Sequence, residues 1–267
     1  MGTLDLHGLF LEAIARDPDA VVEFATAFHE YAKLDGSEHV YCDPYVLCQL
    51  TSGAQGYVFA HPGELDDSVL EELTGRKVGT LRASLPDWAK ALIVDACWGE
   101  ARLDCTPHAT HELLGSGSAK SRARAVLLST MVPPWSNRLG IIGGIEDVIA
   151  ECRAPGRVIR LADFHLKGTV LAGVLAEGDF LDVLKWADFL LITGNILKTN
   201  TLSSIAELLV EWSKPAHLYA MSGHNLFAVR IRELPFRSVS SERFPFYWYA
   251  NCQSFIDLFG HEGAAES

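Results

Sequence analysis

The chain has 267 residues, 49% of them hydrophobic and 21% charged, enough to bury a substantial core and intermediate between one large domain and two ordinary ones. Its net charge of -12 argues against general binding of a phosphate backbone, which needs clustered Lys and Arg, and no run of about eighteen apolar residues suggests a membrane span. The sequence Met1-Gly2-Thr3-Leu4 lacks the basic and long apolar regions of a secretory signal, and the 6 cysteines are too sparse for a disulfide scaffold. The expectation is a cytoplasmic protein with reduced thiols and a small-molecule substrate, without nucleic-acid or membrane partners; a homodimer is compatible with it.

In chain order, Leu4 to Tyr31 reads as two helical patterns separated at Asp17-Pro18-Asp19, with Val21, Phe24, Ala25 and Phe28 on one face of the second. Residues 38–43 and 57–60 read as short strands, Asp66 to Leu73 as a short helix, and Pro86 to Glu100 as a longer one with the apolar stripe Trp88, Leu92, Ile93 and Ala96. Residues 101–120 are polar and loop-like. Within them, the segment from Ser116 to Ser121 lacks the glycine before Lys120 that a phosphate loop requires. Arg122 to Met131 reads as a helix or a buried strand. Pro133-Pro134-Trp135 then interrupts any regular element, which places a boundary between an α+β N-terminal domain, 1–132, and a ligand-binding domain, 133–267.

The second half is organised by Arg138 to Asp163. A short apolar run from Arg138 to Ile142 is broken by Gly143-Gly144, helical spacing follows from Ile145 to Cys152, and a second run from Arg157 delivers Asp163. This is the layout of a nucleotide-binding β-α-β unit, in which the glycines bare the backbone and the acid accepts ribose hydroxyls. Further on come a helix around Ala176 to Trp186, a strand from Asp188 to Ile192, a helix from Thr201 to Trp212 and a strand from His217 to Met221. The alternation predicts an α/β fold, a Rossmann-like parallel sheet covered on both faces and preceded by a smaller α+β domain. Ligands of such sheets lie beyond the carboxyl ends of the strands. Gly143, Gly144, Asp163, Phe164, Thr193 and Gly194 are therefore the expected cofactor contacts, and Asn195, Ser222 and His224 the residues expected to orient the substrate, with His224 able to act as a base.

Charge selects the ligand. Glu146 and Asp147 in the first turn of the helix after the glycines would repel a pyrophosphate, which disfavours a dinucleotide. S-adenosylmethionine carries no phosphate, offers an adenosine to Asp163 and Phe164, and has a sulfonium cation that an acidic pocket attracts. Phe244 to Tyr249, with Trp135 and Tyr41, could present ring faces to that cation, each worth roughly 0.5 to 2 kcal/mol. The expected activity is transfer of a methyl or aminocarboxypropyl group to a small molecule, including intramolecular displacement. The alternative is a non-enzymatic protein that chelates a divalent metal. Cys97, Cys105, His108 and His111 supply suitable ligand types, but their spacing matches no standard finger, and Cys42 and Cys48 add little. The sequence singles out no residue as a metal ligand.

From about Leu139 to Phe259 the chain resembles the Rossmann-like heavy-metal chelation family of uncharacterised microbial proteins. The resemblance rests on an aspartate-led strand followed by Thr-Gly and a Thr-rich helix start, here Ala187 to Leu202 with Thr193-Gly194 at its centre. It implies an N-terminal domain similar to the enolase N-terminal fold over residues 1 to about 132, and its name implies metal binding. The family's Gly-Pro-Ser after the next strand is replaced here by Ser222-Gly223-His224.

Overall fold

The computed structural model describes residues 4–32, 41–244 and 253–260. Helix α1 (Leu6–Arg16) begins where the Asp5 side chain accepts the Gly8 amide at 2.9 Å. Strands β1 (Val22–Ala32) and β2 (Tyr41–Leu50) pair antiparallel, and β3 (Gln55–Phe59) adds to β2. The helix expected over Val21 to Phe28 is thus a strand. Half-buried Ala25 and Ala27 alternate with exposed Thr26, and pairing with β2 overrides a spacing that so short a run satisfies in either form. Helices α2 (Asp67–Leu73) and α3 (Asp87–Cys97) fall where expected, and α3 buries Trp88, Leu92, Ile93 and Ala96.

The stretch that reads as loop holds α4 (Gly99–Leu103), β4 (Ala109–Leu113) and the start of α5 (Gly117–Thr130). The Ser116 side chain caps α5 by accepting the Ala119 amide at 3.2 Å. There follow β5 (Arg138–Ile142), α6 (Glu146–Glu151), β6 (Val158–Ala162), β7 (Val170–Leu171), β8 (Val174–Glu177), α7 (Phe180–Trp186) and β9 (Phe189–Thr193). The described chain then adds α8 (Leu202–Glu211), β10 (Ala216–Ala220), α9 (His224–Val229), β11 (Ser238–Glu242) and β12 (Ser254–Gly260).

Packing groups these elements into two units. The first comprises Met1–Thr106, Gly194–Ile205 and Ala220–Glu233, and the second Pro107–Thr193, Ala206–Tyr219 and Leu234–Ser267. The sequence placed a boundary at Val132. In the structure β4 and α5 pack with the second unit, because β4 pairs with β12, and two later segments return to the first. Within the first unit α3 packs on β2 and β3, and α1 on α3.

The second unit carries a nine-stranded sheet in the order β4-β12-β11-β10-β9-β5-β6-β8-β7. From β10 through β9, β5 and β6 to β8 neighbours run parallel, and β5, β9 and β10 are buried almost end to end, as strands covered on both faces must be. The antiparallel strands β11, β12 and β4 were not foreseen. They bring polar groups inside: His217 of β10, fully buried, bonds Ser238 Oγ through Nδ1 at 2.7 Å and Ser240 Oγ through Nε2 at 2.8 Å. Burial lowers the His217 pKa from 6.5 to about 3, so the ring stays neutral.

The sign of the consequence follows from linkage. Below about pH 6.5 the unfolded chain takes up a proton that the folded ring refuses, so this residue's contribution is complete above that pH and is lost as pH falls toward 3, at up to about 1.4 kcal/mol per unit. Denaturant titrations near pH 7.5 and near pH 5 should show the wild type losing about 2 kcal/mol more than His217→Gln. An equal loss in both proteins would exclude the assignment.

Candidate functional site

In the second unit the chain leaves β5 for β6 on one side and later returns to β9 on the other, so the winding reverses between β5 and β9. The carboxyl ends of the two strands open there into a crevice. A narrow apolar cleft of about 10 Å³ lies at this edge, lined by Leu128 of α5, Gly143 and Ile145 after β5, Thr193 of β9, Tyr219 of β10 and their apolar neighbours.

Two glycines shape the turn after β5, and the first lines the cleft. Gly143 has φ 93°, and a β-carbon there would stand 2.0 Å from Thr193 Oγ1. A β-carbon on Gly144 would lie 2.8 Å from Leu171 Cδ1 and 3.0 Å from Leu166 Cδ1. The Gly144 amide donates to Asp163 Oδ2 at 2.8 Å, and Asp163 Oδ1 accepts the amides of His165 at 2.9 Å and Leu166 at 3.1 Å. Asp163 therefore ties the end of β6 to the glycine turn, a role its position alone did not reveal. Phe164 is 50% exposed, edge-on to Phe180 at 6.2 Å. At the start of α6 both acids are engaged: Asp147 Oδ2 accepts from Ser121 Oγ at 2.5 Å, and Glu146 Oε1 from the Ala172 amide at 3.3 Å.

Behind the cleft lies a buried polar network that the sequence did not disclose. Lys120 and Arg124 sit one turn apart on α5, 0% and 2% exposed. Arg124 donates to Ser121 Oγ at 3.0 Å and lies 5.8 Å over the ring of Tyr219, whose hydroxyl donates to the wholly buried Glu242. Lys120 Nζ is 3.4 Å from Ser254 Oγ. The available signal was the spacing of Lys120, Arg124 and Leu128, which share a helix face; basic residues among Ser and Ala read instead as a solvated face.

The residues expected to orient a substrate belong to the first unit, where they gather near Asp95. This fully buried carboxylate, in the last turn of α3, accepts the Tyr57 amide at 3.0 Å and the Asn225 and Leu226 amides at 2.8 and 3.3 Å. His224 Nδ1 lies 3.0 Å from Asp95 Oδ2, and its ring centre 5.3 Å from that of Tyr57. Ser222 Oγ accepts the Phe59 amide at 2.9 Å and donates to Asn195 Oδ1 at 3.0 Å. Asn195 sits in the short 3-10 turn Gly194–Ile196. Gly194 is buried at the head of that turn, in the first unit, whereas Thr193 ends β9 in the second.

Cys97, Cys105, His108 and His111 form no metal site. Burial pushes the Cys97 thiol up to about 12, and Cys105 donates to the Ala101 carbonyl at 3.5 Å. His108 and His111 are exposed, and residues three apart along extended chain point to opposite faces, contrary to the expected shared helical face. Among the described residues no three His, Cys, Asp or Glu side chains come together as a metal site. Cys48 is buried against the Leu92 carbonyl, and the Cys42 side chain lies outside the described set. Of the aromatics, Trp135 is half exposed and edge-on to Phe189 at 6.4 Å; residues 245–249 and the Tyr41 side chain lie outside the described residues.

No family model matches the chain, and no curated protein matches it. Among solved structures it is similar to a protein of unknown function of the DUF364 family from Pyrococcus horikoshii, 11% identical with a TM-score of 0.57, over 96% of this chain and 99% of that one. A DUF364 protein of unknown function from Desulfitobacterium hafniense DCB-2 is similar at 12% identity and a TM-score of 0.57, over 94% and 98% of the two chains. The likeness shows a shared mixed α/β fold. No helix among the described residues is long and apolar enough to cross a membrane.

Asp95→Ala removes one acceptor from three buried amides at once. Equilibrium unfolding should register a loss of about 3 kcal/mol or more. A loss below about 0.5 kcal/mol, the scale of ordinary surface substitutions, would show that Asp95 does not hold this unit.

Proposed function

We propose that the second unit binds S-adenosylmethionine in the crevice between the ends of β5 and β9, and that the protein transfers a methyl or aminocarboxypropyl group to a small molecule. The observation that carries this reading is the reversal of winding between β5 and β9, where Gly143 and Gly144 turn the chain tightly out of the sheet. The start of α6 offers a pyrophosphate no seat, since Glu146 and Asp147 occupy it, whereas a ligand without phosphate meets no such repulsion. The exposed ring of Phe164 can stack on an adenine. Asp163 Oδ2 accepts one backbone amide, and a carboxylate oxygen has a second acceptor direction that a ribose hydroxyl can use.

At the sulfonium, the nucleophile's lone pair forms a bond to carbon as the carbon–sulfur bond breaks and the sulfur leaves as a neutral thioether. Such a step requires positioning and loss of water more than an array of catalytic groups. The attacking amine can belong to an acceptor or to the ligand itself. Asn195, Ser222 and His224 belong to the first unit, where Ser222 bonds Phe59 and Asn195 and His224 faces Asp95, and they take no part in this step.

Calorimetry of the wild type with S-adenosylmethionine and S-adenosylhomocysteine should show binding of both. Phe164→Ala, a change at an exposed ring, should leave the unfolding midpoint unaltered and weaken both ligands by about five- to tenfold, as loss of one stacking face does. Absence of heat with either ligand at millimolar concentration would overturn the reading. Zinc, copper and nickel ions tested in the same way address the chelation that the family resemblance implies.

A further inference from the structure

Between Asp163 and β8 the second unit carries a short segment that lies across the glycine turn. Its base is fixed by Asp163, and Leu166 and Leu171 pack on Gly144, within 3.0 and 2.8 Å of where a β-carbon would stand. The cross-strand pairing of Leu171 with Val174 leaves Ala172 and Gly173 as a two-residue turn, with φ of 45° and 74°. Left-handed backbone suits glycine and strains alanine. That tip is gripped from both ends of α6: Glu146 Oε1 accepts the Ala172 amide at 3.3 Å, and Arg153 donates to the Ala172 carbonyl. On the outer side Val170 and Leu175 are cross-strand partners, 53% and 58% exposed. The segment thus has one apolar face on the turn, a strained tip, and two charged side chains as its fastening.

We propose that residues 163–175 are a strap that closes over the Gly143–Gly144 turn and opens when Glu146 and Arg153 release its tip, admitting the ligand to the crevice. The gating role rests on the ligand site proposed above; the opening itself does not. A segment with few buried contacts opens locally while the rest of a domain stays folded. The strain at Ala172 and the clasp by Glu146 and Arg153 act in opposite directions, so changes to them should move the strap in opposite directions.

The test measures hydrogen exchange at the Gly144 amide and trypsin cleavage after the exposed Lys167. Arg153→Gln should speed both by about three- to fivefold at an unchanged unfolding midpoint, the size expected for loss of one exposed charged contact. Ala172→Gly should slow both by about fivefold by removing the strain. If neither variant changes exchange or cleavage, or both change only in step with global unfolding, there is no strap. With S-adenosylhomocysteine as the probe, Arg153→Gln should raise the association rate by the same factor. An unchanged association rate would overturn gating. No binding at all, with the exchange results as expected, would leave the strap standing and remove the ligand reading instead.

Discussion

Thr193 Oγ1 would stand 2.0 Å from a β-carbon on Gly143, so β5 and β9 can end side by side only because residue 143 carries a hydrogen there. Much of the second unit's upper edge follows from that contact. With Gly143 at φ 93°, the chain turns out of the sheet, and the next amide, that of Gly144, meets Asp163 at the end of β6. The ends of three adjacent strands, β9, β5 and β6, are thereby fixed relative to one another by one close approach and one carboxylate. A side chain at 143 would have to push β9 away, separating strands whose buried faces include Leu191, Ile141 and Leu161.

Within each unit, buried polar groups join segments that are far apart in sequence. In the first, Asp95 of α3 accepts amides from Tyr57 and from Asn225 and Leu226, binding the returning segment to α3 and the middle of β3. In the second, Tyr219 and Glu242 link β10 to β11, and His217 spans the same pair of strands through two serines. A pure apolar contact between such elements would tolerate slippage; a buried donor that loses its acceptor costs on the order of 1 to 3 kcal/mol, which penalises every register but one.

The legibility of this chain divides along the same line. Strands β5, β6, β9 and β10 were readable because a strand covered on both faces must be a short apolar run, and Leu139, Ile141, Phe189 and Leu190 supply one. Strands β11 and β12 were not, because their interiors hold Ser240, Ser241, Glu242 and Asp257, residue types that report solvent unless their distant partners are known, and β4 was not because Thr110, His111 and Glu112 are exposed. Val21 to Phe28 failed for another reason: over eight residues the helical and extended patterns share too many positions to be told apart. At the site, Gly143 and Gly144 could be found from their place after an apolar run. That Asp163 spends three acceptor bonds on backbone amides could not, since position in sequence gives the residue but not the direction of its oxygens.

A glycine turn at the end of a central strand is common to binding sites for phosphorylated and unphosphorylated ligands, so the discrimination falls to the helix that follows it. Helix α6 has 6 residues and opens with Glu146 and Asp147, each accepting a hydrogen bond from a neighbouring element, so its amide end is already flanked by negative charge. A phosphate placed about 4 Å from one of these carboxylates would meet a repulsion of roughly 4 kcal/mol at an effective dielectric constant near 20. That exceeds the roughly 0.3 to 2 kcal/mol that a helix dipole returns to an anion. The same charges, set beside a sulfonium, act with the opposite sign. On the reading proposed above, the two carboxylates at this turn weigh against a phosphate group and not against a cation.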